Sequence, residues 1–247
     1  MSQHRQYPYM AERTDRRRRA AVDFLGVLLC ALLFARYAPR EALAPAKKKA
    51  AAGSAQGMSL AKLLLVMTVA ATCGSVVFNV STNGNYELLA SKLSQISQDP
   101  AQIGLALALV YVLASLTQLL VGHLLDKVAL KTLYASVIAV QCLGLLLANQ
   151  FEGWLFYLAQ LLFMAAVFGA VPFTDAMIVR YVDDSMRSRV SGMRLTVVLG
   201  ASSLAVWLIG PIVKAAGFAT LIWVMLATSL TTLLLVSFLP KTAPQRA

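Results

Sequence analysis

Charged side chains are scarce in this sequence: Asp, Glu, Lys and Arg make up 13% of its 247 residues, whereas apolar residues make up 59%. Soluble domains average about 25% charged and 45–50% apolar residues, so water cannot cover most of this chain and lipid must. Cysteine is almost missing. Cys30, Cys73 and Cys142 each fall inside an apolar run and none has a metal-ligand spacing, which marks them as reduced packing residues. Two histidines are too few and too scattered for a metal centre. There is no Ser-His-Asp set and no Gly-rich phosphate loop, so an enzyme or an ATP-driven pump finds no support and no cofactor is expected. Asn79-Val80-Ser81 matches a glycosylation acceptor but lies too close to an expected bilayer surface to be reached.

What the chain has instead is long apolar runs. They cover approximately 60–80, 103–125, 133–148, 154–179, 195–213 and 218–239. Each approaches the roughly 20 residues that cross a hydrocarbon core as a helix. Backbone polar groups in hydrocarbon must be satisfied internally, and nothing between the runs could form a sheet, so the expected fold is an all-α integral membrane helical bundle. The lipid bilayer is its first partner. A net charge of +11 would suggest nucleic acid in a soluble protein, but here the charge sits beside apolar runs, and no nucleic-acid partner is expected.

The N-terminal part divides by composition. Residues 1–19 form a basic tail ending in Arg16-Arg17-Arg18-Arg19, and 20–37 a marginal transmembrane helix weakened by Asp23 and Arg36. A signal peptide is the rival reading of 20–37, with Ala42-Leu43-Ala44 as small residues after it. Residues 38–59 read as a cytoplasmic linker rich in Ala and Pro, with Lys47-Lys48-Lys49. Residues 60–240 form the six-helix membrane domain and 241–247 a short tail.

Charge asymmetry orients that domain. One side collects Lys127, Lys131, Arg180, Arg187, Arg189 and Arg194 along with the linker lysines and the tail; the other has only Lys92 and Lys214. The positive-inside rule then puts both ends of the six-helix block in the cytoplasm.

The polar hinge Gly122-His-Leu-Leu-Asp-Lys-Val-Ala-Leu-Lys131 resembles the signature loop of the major facilitator superfamily, with Gly122, Asp126, Lys127 and Lys131 in the matching positions. It departs from that pattern at Ala129, where a second Gly is usual, and at Leu130, where a basic residue is common. A second stretch, from Pro172 through Asp175 and Arg180 to Arg187, Arg189, Gly192 and Arg194, is similar to the tenth helix, its loop and the eleventh helix of that family. The resemblance implies an MFS-like C-terminal half: six transmembrane helices, preceded by one marginal helix standing for the sixth helix of a full transporter. It implies that Gly122 permits close helix approach and that Asp126 and its basic neighbours form a cytoplasmic latch. The function implied is secondary transport of a small-molecule solute, with protons the favoured coupling ion, in the cell inner (plasma) membrane. A half encloses only one wall of a cavity, so an N-terminal half-transporter or a second copy is expected as partner. The alternative is a truncated, non-transporting protein or a half-unit that binds another membrane protein.

Several residues compete between function and structure. Asp175, near a helix end, is a candidate coupling group or a structural ion pair with a nearby Arg. Gln118 and Gln141 lie deep in apolar runs, as cavity groups or interhelical glue. Asn79, Asn83, Asn85 and Tyr86 are expected to cap or solvate a helix end near residue 80. Gly200, Gly210 and Pro211 mark close packing or a kink, and Trp154, Trp207 and Trp223 interface or packing positions.

Overall fold

The computed structural model describes residues 60–239 together with Arg36. The expected basic tail, marginal helix, linker and C-terminal tail therefore lie outside the described residues, apart from Arg36. Among the described residues there is no strand. Five helices succeed one another: α1 (Leu60–Lys92), α2 (Pro100–Lys127), α3 (Leu130–Gln150), α4 (Gly153–Tyr181) and α5 (Asp184–Ser237). Each is long and apolar enough to cross a membrane.

Local chemistry explains the boundaries. Asp99 caps α2 by accepting from the Ala101 N–H at 3.0 Å, and Pro100 occupies the first turn, where no N–H is needed. The hinge motif falls where two extended residues, Val128 and Ala129, separate α2 from α3. Gly153, with φ 64, turns the chain into α4 at an angle few other residues adopt. α5 counts 54 residues and is broken at Gly217, whose φ 76 and ψ 173 are not helical. A straight helix of that length would reach about 80 Å at ~1.5 Å per residue, far beyond a hydrocarbon core of about 30 Å. The two last apolar runs, 195–213 and 218–239, lie on either side of this break.

α4 is the central element, packing on α3 and α2, while α1 packs chiefly on α5. Its buried Phe156, Phe163 and Phe173 meet Tyr134, Ile138 and Leu145 of α3. The closest approach is at Gly144, where an added Cβ would stand 2.8 Å from the Phe163 backbone. Close packing or a kink was expected at Gly200, Gly210 and Pro211; within the chain both glycines face open space, as does Gly122. Composition marks a glycine as permissive; only the neighbouring helix decides whether that freedom is used.

A second correction concerns α1, which continues unbroken past residue 80 to Lys92. Asn79, Asn83, Asn85 and Tyr86 are thus interior to a helix and neither cap nor solvate its end. Their polarity is absorbed locally: Asn79 Nδ2 donates to the Ser75 carbonyl at 2.9 Å, Thr82 Oγ1 to Phe78 at 2.8 Å, and Asn83 Nδ2 to Asn79 at 2.8 Å. Bonds back to the preceding turn let a polar stretch remain helical. Trp154, Trp207 and Trp223 are all exposed, which excludes interior packing.

Candidate functional site

A cavity of about 360 Å³ opens between α1, α3, α4 and α5. That volume lies at the small end of ligand pockets, about 300–1,000 Å³. Small residues on α1 and α4, including Gly74, Ser75 and Ala170, leave the space; larger apolar neighbours such as Phe78, Val167 and Leu195 line it. Its polar groups are few. Tyr134 and Gln141 come from α3, Thr174 and Asp175 from α4, and Arg194 from α5.

Tyr134 is fully buried and stacks on Phe173, ring centroids 4.5 Å apart and 15° from parallel, so its ring is fixed. Gln141, one helical face along at i+7, donates from Nε2 to Ser229 Oγ at 2.6 Å. Ser229 passes its own hydrogen to the Met225 carbonyl at 2.8 Å, which completes the chain of donors. On α1, Ser75 shares a 2.9 Å hydrogen bond with Ser202 of α5 and accepts from Asn79 at 3.2 Å. The wall between α1 and α5 is thus held by hydroxyls, whose bonds in a bilayer contribute about 0.6–2 kcal/mol.

Asp175 and Arg194 form the one ion pair at this cavity among the described residues, at 2.8 Å. Arg194 is 14% exposed, and it also donates to the Thr174 carbonyl at 2.6 Å; Asp175 is 80% exposed. The guanidinium is therefore clamped, while the carboxylate turns a free edge to the opening. The pair leaves Asp175 able to accept a further hydrogen bond at the opening.

Three further basic residues serve helix ends. Arg180 donates to the Leu125 carbonyl in the last turn of α2, Lys131 to the Ser237 carbonyl at the end of α5, and Arg187 to the Val179 carbonyl of α4 at 3.1 Å. The terminal carbonyls of a helix lack intrahelical partners and carry partial negative charge, so cations are favourable there. Three C-termini are thereby gathered on one side. Arg187 also pairs with Asp184 at 2.6 Å. Of the hinge residues, Gly122 is half-buried, while Asp126 and Lys127 are exposed. Among the described residues Asp126 makes no hydrogen bond or ion pair. Arg189 is likewise exposed, with no such contact. Gln118 is half-buried on α2 and is not among the residues lining the cavity.

Sequence reasoning missed a second polar cluster. Gln160 donates to Asn85 Oδ1 at 2.7 Å, Asn85 Nδ2 reaches Tyr111 Oη at 3.5 Å, and Tyr111 donates to the Thr82 carbonyl at 3.2 Å. It joins α1, α2 and α4, with Asn85 and Gln160 each 1% exposed. It also missed Tyr134, although the seven-residue spacing from Tyr134 to Gln141 already puts both on one face of α3.

Among the described residues, no group of His, Cys, Asp and Glu is placed to hold a metal. No curated protein matches the chain. A crystal structure of the POT family transporter PepTSo, obtained in meso, shares its fold with a TM-score of 0.66 at 15% identity, covering 77% of this chain. The chain spans only 40% of that transporter's length. The Major Facilitator Superfamily model matches residues 72–247, well over half of the sequence. With a helical membrane bundle and this match, the chain belongs to the major facilitator superfamily, a family of membrane transporters rather than enzymes.

Proposed function

We propose that residues 60–240 are one half of a secondary transporter for a small polar or amphipathic solute, and that the cavity between α1, α3, α4 and α5 is this half's wall of the solute path. The observation that carries the reading is the convergence of Tyr134, Gln141, Asp175 and Arg194, from three helices, on one cavity in an otherwise apolar bundle. Gln141 and Tyr134 offer hydrogen bonds along the wall, and Asp175 with Arg194 forms a charged mouth. Gln118, away from this cavity, is assigned to helix packing.

The break at Gly217 supports six spans, with α5 crossing twice. Arg180, Lys131 and Arg187 support a common cytoplasmic side for the ends of α2, α4 and α5, with Lys92 and Lys214 outside. Residues 20–37 would form one further span, 38–59 a cytoplasmic linker and 241–247 a cytoplasmic tail, in the cell inner membrane. Gly122, Asp126, Lys127 and Lys131 form the cytoplasmic hinge, whose latch partner for Asp126 lies outside this half. The other wall of the path belongs to a partner half.

The test is solute uptake by native membrane vesicles, which hold the chain together with its partner half, screened over amino acids, peptides, sugars and organic anions under an imposed proton gradient. Uptake that a protonophore abolishes and that Asp175→Asn loses is the expected result. Gradient-independent uptake unchanged by Asp175→Asn and Gln141→Leu would remove the cavity from the reading.

A further inference from the structure

We propose that the solute this cavity takes is uncharged: a flat, mainly apolar molecule with a hydrogen-bond donor at one end, which Gln141 accepts, and an acceptor at the other, to which Tyr134 donates. This rests on the reading of the cavity as part of a solute path, and names the class of solute.

Most polar groups of the wall are already engaged. Ser75 shares its hydroxyl with Ser202 and Asn79, Thr174 Oγ1 donates to the Val171 carbonyl at 3.0 Å, and Asp175 and Arg194 neutralise each other. Apart from the outer edge of Asp175, two atoms remain, Tyr134 Oη and Gln141 Oε1. Neither has a hydrogen-bond partner among the described residues, although Tyr134 is 1% and Gln141 3% exposed and both line the cavity. The surrounding bonds fix what each can do. Ser229 gives its hydrogen to the Met225 carbonyl and can only accept from Gln141, so the amide nitrogen turns to Ser229 and the oxygen is left for a solute. An amide oxygen only accepts, and the solute group beside it must donate. Tyr134 is held by its stack on Phe173, and its hydroxyl lies 3.9 Å from where a Cβ on Gly74 would stand, in space that the glycine keeps open. That hydroxyl can donate to a solute oxygen. The two residues are two turns apart on α3, roughly 10 Å along its axis. An aromatic ring with a polar atom and a hydrogen bond at each end covers this span.

The same wall excludes ions. Two contacts, Tyr134 on Phe173 and Gly144 on Phe163, set α3 and α4 antiparallel in a register that puts Gln141 level with Ala166, nine residues and about 13 Å from Asp175. No charged residue lines the cavity beyond the ion pair at its mouth. An ion carried inward would lose its water without gaining a counter-charge, a cost that one amide and one hydroxyl do not offset. Arg194 is closed to an anion, because two of its nitrogens already hold Thr174 and Asp175. A cation meets Asp175 only at the opening, where water screens the carboxylate. A sugar fails for another reason: two free partners leave most of its hydroxyls unpaired against Phe78, Val167 and Leu195.

The test reads binding, independently of transport. Ala170→Cys, in a chain whose Cys30, Cys73 and Cys142 are replaced by Ala, puts a thiol on the cavity wall. The rate at which a small methanethiosulfonate labels it in native membranes then reports whether the space is filled. The probe is para-hydroxyacetophenone at mildly acidic pH, where it is uncharged, and it should slow labelling in a saturable way. Para-methoxyacetophenone lacks the donor and para-ethylphenol lacks the acceptor; each should need about three to ten times the concentration, the range that one lost hydrogen bond allows. Tyramine and para-hydroxyphenylacetate, a cation and an anion on the same ring, should need more still. Gln141→Leu should abolish the preference for hydroxyl over methoxy and keep that for acetyl over ethyl, whereas Tyr134→Phe, which retains the stacked ring, should do the reverse. A general loss of packing cannot separate the two preferences. Equal protection by the probe and its two neutral analogues, better protection by either ion, or protection by none of them overturns the proposal. Should the cysteine-free chain be lost, equilibrium dialysis of tritiated para-hydroxyacetophenone against the purified unaltered chain, with the other four compounds as competitors, should give the same order, and a different order overturns the proposal. Vesicle uptake separates the two readings. Saturable protection without uptake of any solute supports the solute class and counts against the path; uptake confined to charged solutes overturns the class and leaves the path.

Discussion

Gln160 and Gln141 are the same side chain, both buried between helices, and they do different things. Gln160 belongs to a closed cluster: its amide holds Asn85, Asn85 reaches Tyr111, and the chain ends on a backbone carbonyl, with both amides 1% exposed. Gln141 holds Ser229 on one side and borders the cavity on the other, seven residues from Tyr134 and across from Asp175 and Arg194. A polar group whose bonds all end on protein is glue; one that borders an opening has capacity left for a solute. Burial and residue type alone do not separate the two. The difference lies in whether small residues beside the amide, Gly74 and Ala170 here, leave a space.

The comparison depends on α3 and α4 keeping their distance, and the largest expected effect comes from breaking that. Gly144→Ala places a Cβ 2.8 Å from the Phe163 backbone, where a neighbouring helix cannot yield as a flexible side chain would. Overpacking of this kind costs about 1–3 kcal/mol, and the upper part of that range is expected in thermal or denaturant unfolding of the purified protein in detergent. Gly200→Ala, with open space at its Cβ, serves as the control and should change stability by less than about 0.5 kcal/mol. Equal losses from both would mean that the α3–α4 contact is not the tight one.

The second test sets the two amides against each other. Gln160→Leu removes the donor to Asn85 Oδ1 and leaves that oxygen buried, an expected loss of about 1–2 kcal/mol within the general range for orphaned groups. Gln141→Leu leaves Ser229 still bonded to Met225, so its loss should stay below about 1 kcal/mol. In solute uptake the order should reverse, with Gln141→Leu raising the half-saturating concentration and Gln160→Leu leaving it unchanged. If both variants track stability alone, the distinction drawn from the cavity fails.

These cases also show what the sequence could carry. Hydrophobic runs located every described helix, because lipid exposure demands about twenty apolar residues whatever lies next to them. The hinge at Gly122 to Lys131 was legible too, since charges that must sit at the interface interrupt the runs. Asp175 was legible as a candidate near a helix end, and its pairing with an arginine was among the readings, though the partner proved to be Arg194, 19 residues on. What could not be read was which helix faces which. Asn85 looked like a helix end because polar residues usually accumulate there, whereas its partner Gln160 is 75 positions away. Gly144 looked no different from Gly200, because a glycine's neighbour across the interface leaves no local trace.

A smaller effect is expected on the side where the helix ends gather. Lys131→Met removes the donor to the Ser237 carbonyl and a cation from the C-terminal end of α5. Such interactions contribute about 0.3–1 kcal/mol when exposed and weaken with salt. Stability should fall by that amount at low ionic strength and by less in 0.5 M salt, roughly as a Debye length of a few ångströms requires. No salt dependence would mean that Lys131 acts through packing and not through charge.

The smallest expected change in stability belongs to the residue with the largest expected role in transport. Asp175 is 80% exposed, so its pair with Arg194 is solvent-screened, and pairs of that kind contribute about 0–1 kcal/mol. Asp175→Asn keeps an oxygen for Arg194 and should unfold within about 0.5 kcal/mol of the parent. Arg194 also keeps its bond to the Thr174 carbonyl, so the guanidinium stays in place at the mouth of the cavity. What disappears is the carboxylate charge at that mouth. Uptake driven by a pH gradient should therefore fall to background, while exchange of labelled for unlabelled solute across the same membrane, which moves no net proton, should persist. A variant that loses exchange and gradient-driven uptake together would make Asp175 a solute ligand. A variant that loses neither would place proton coupling in the partner half, and Asp175 would then belong with Gln160 among the groups that hold helices together.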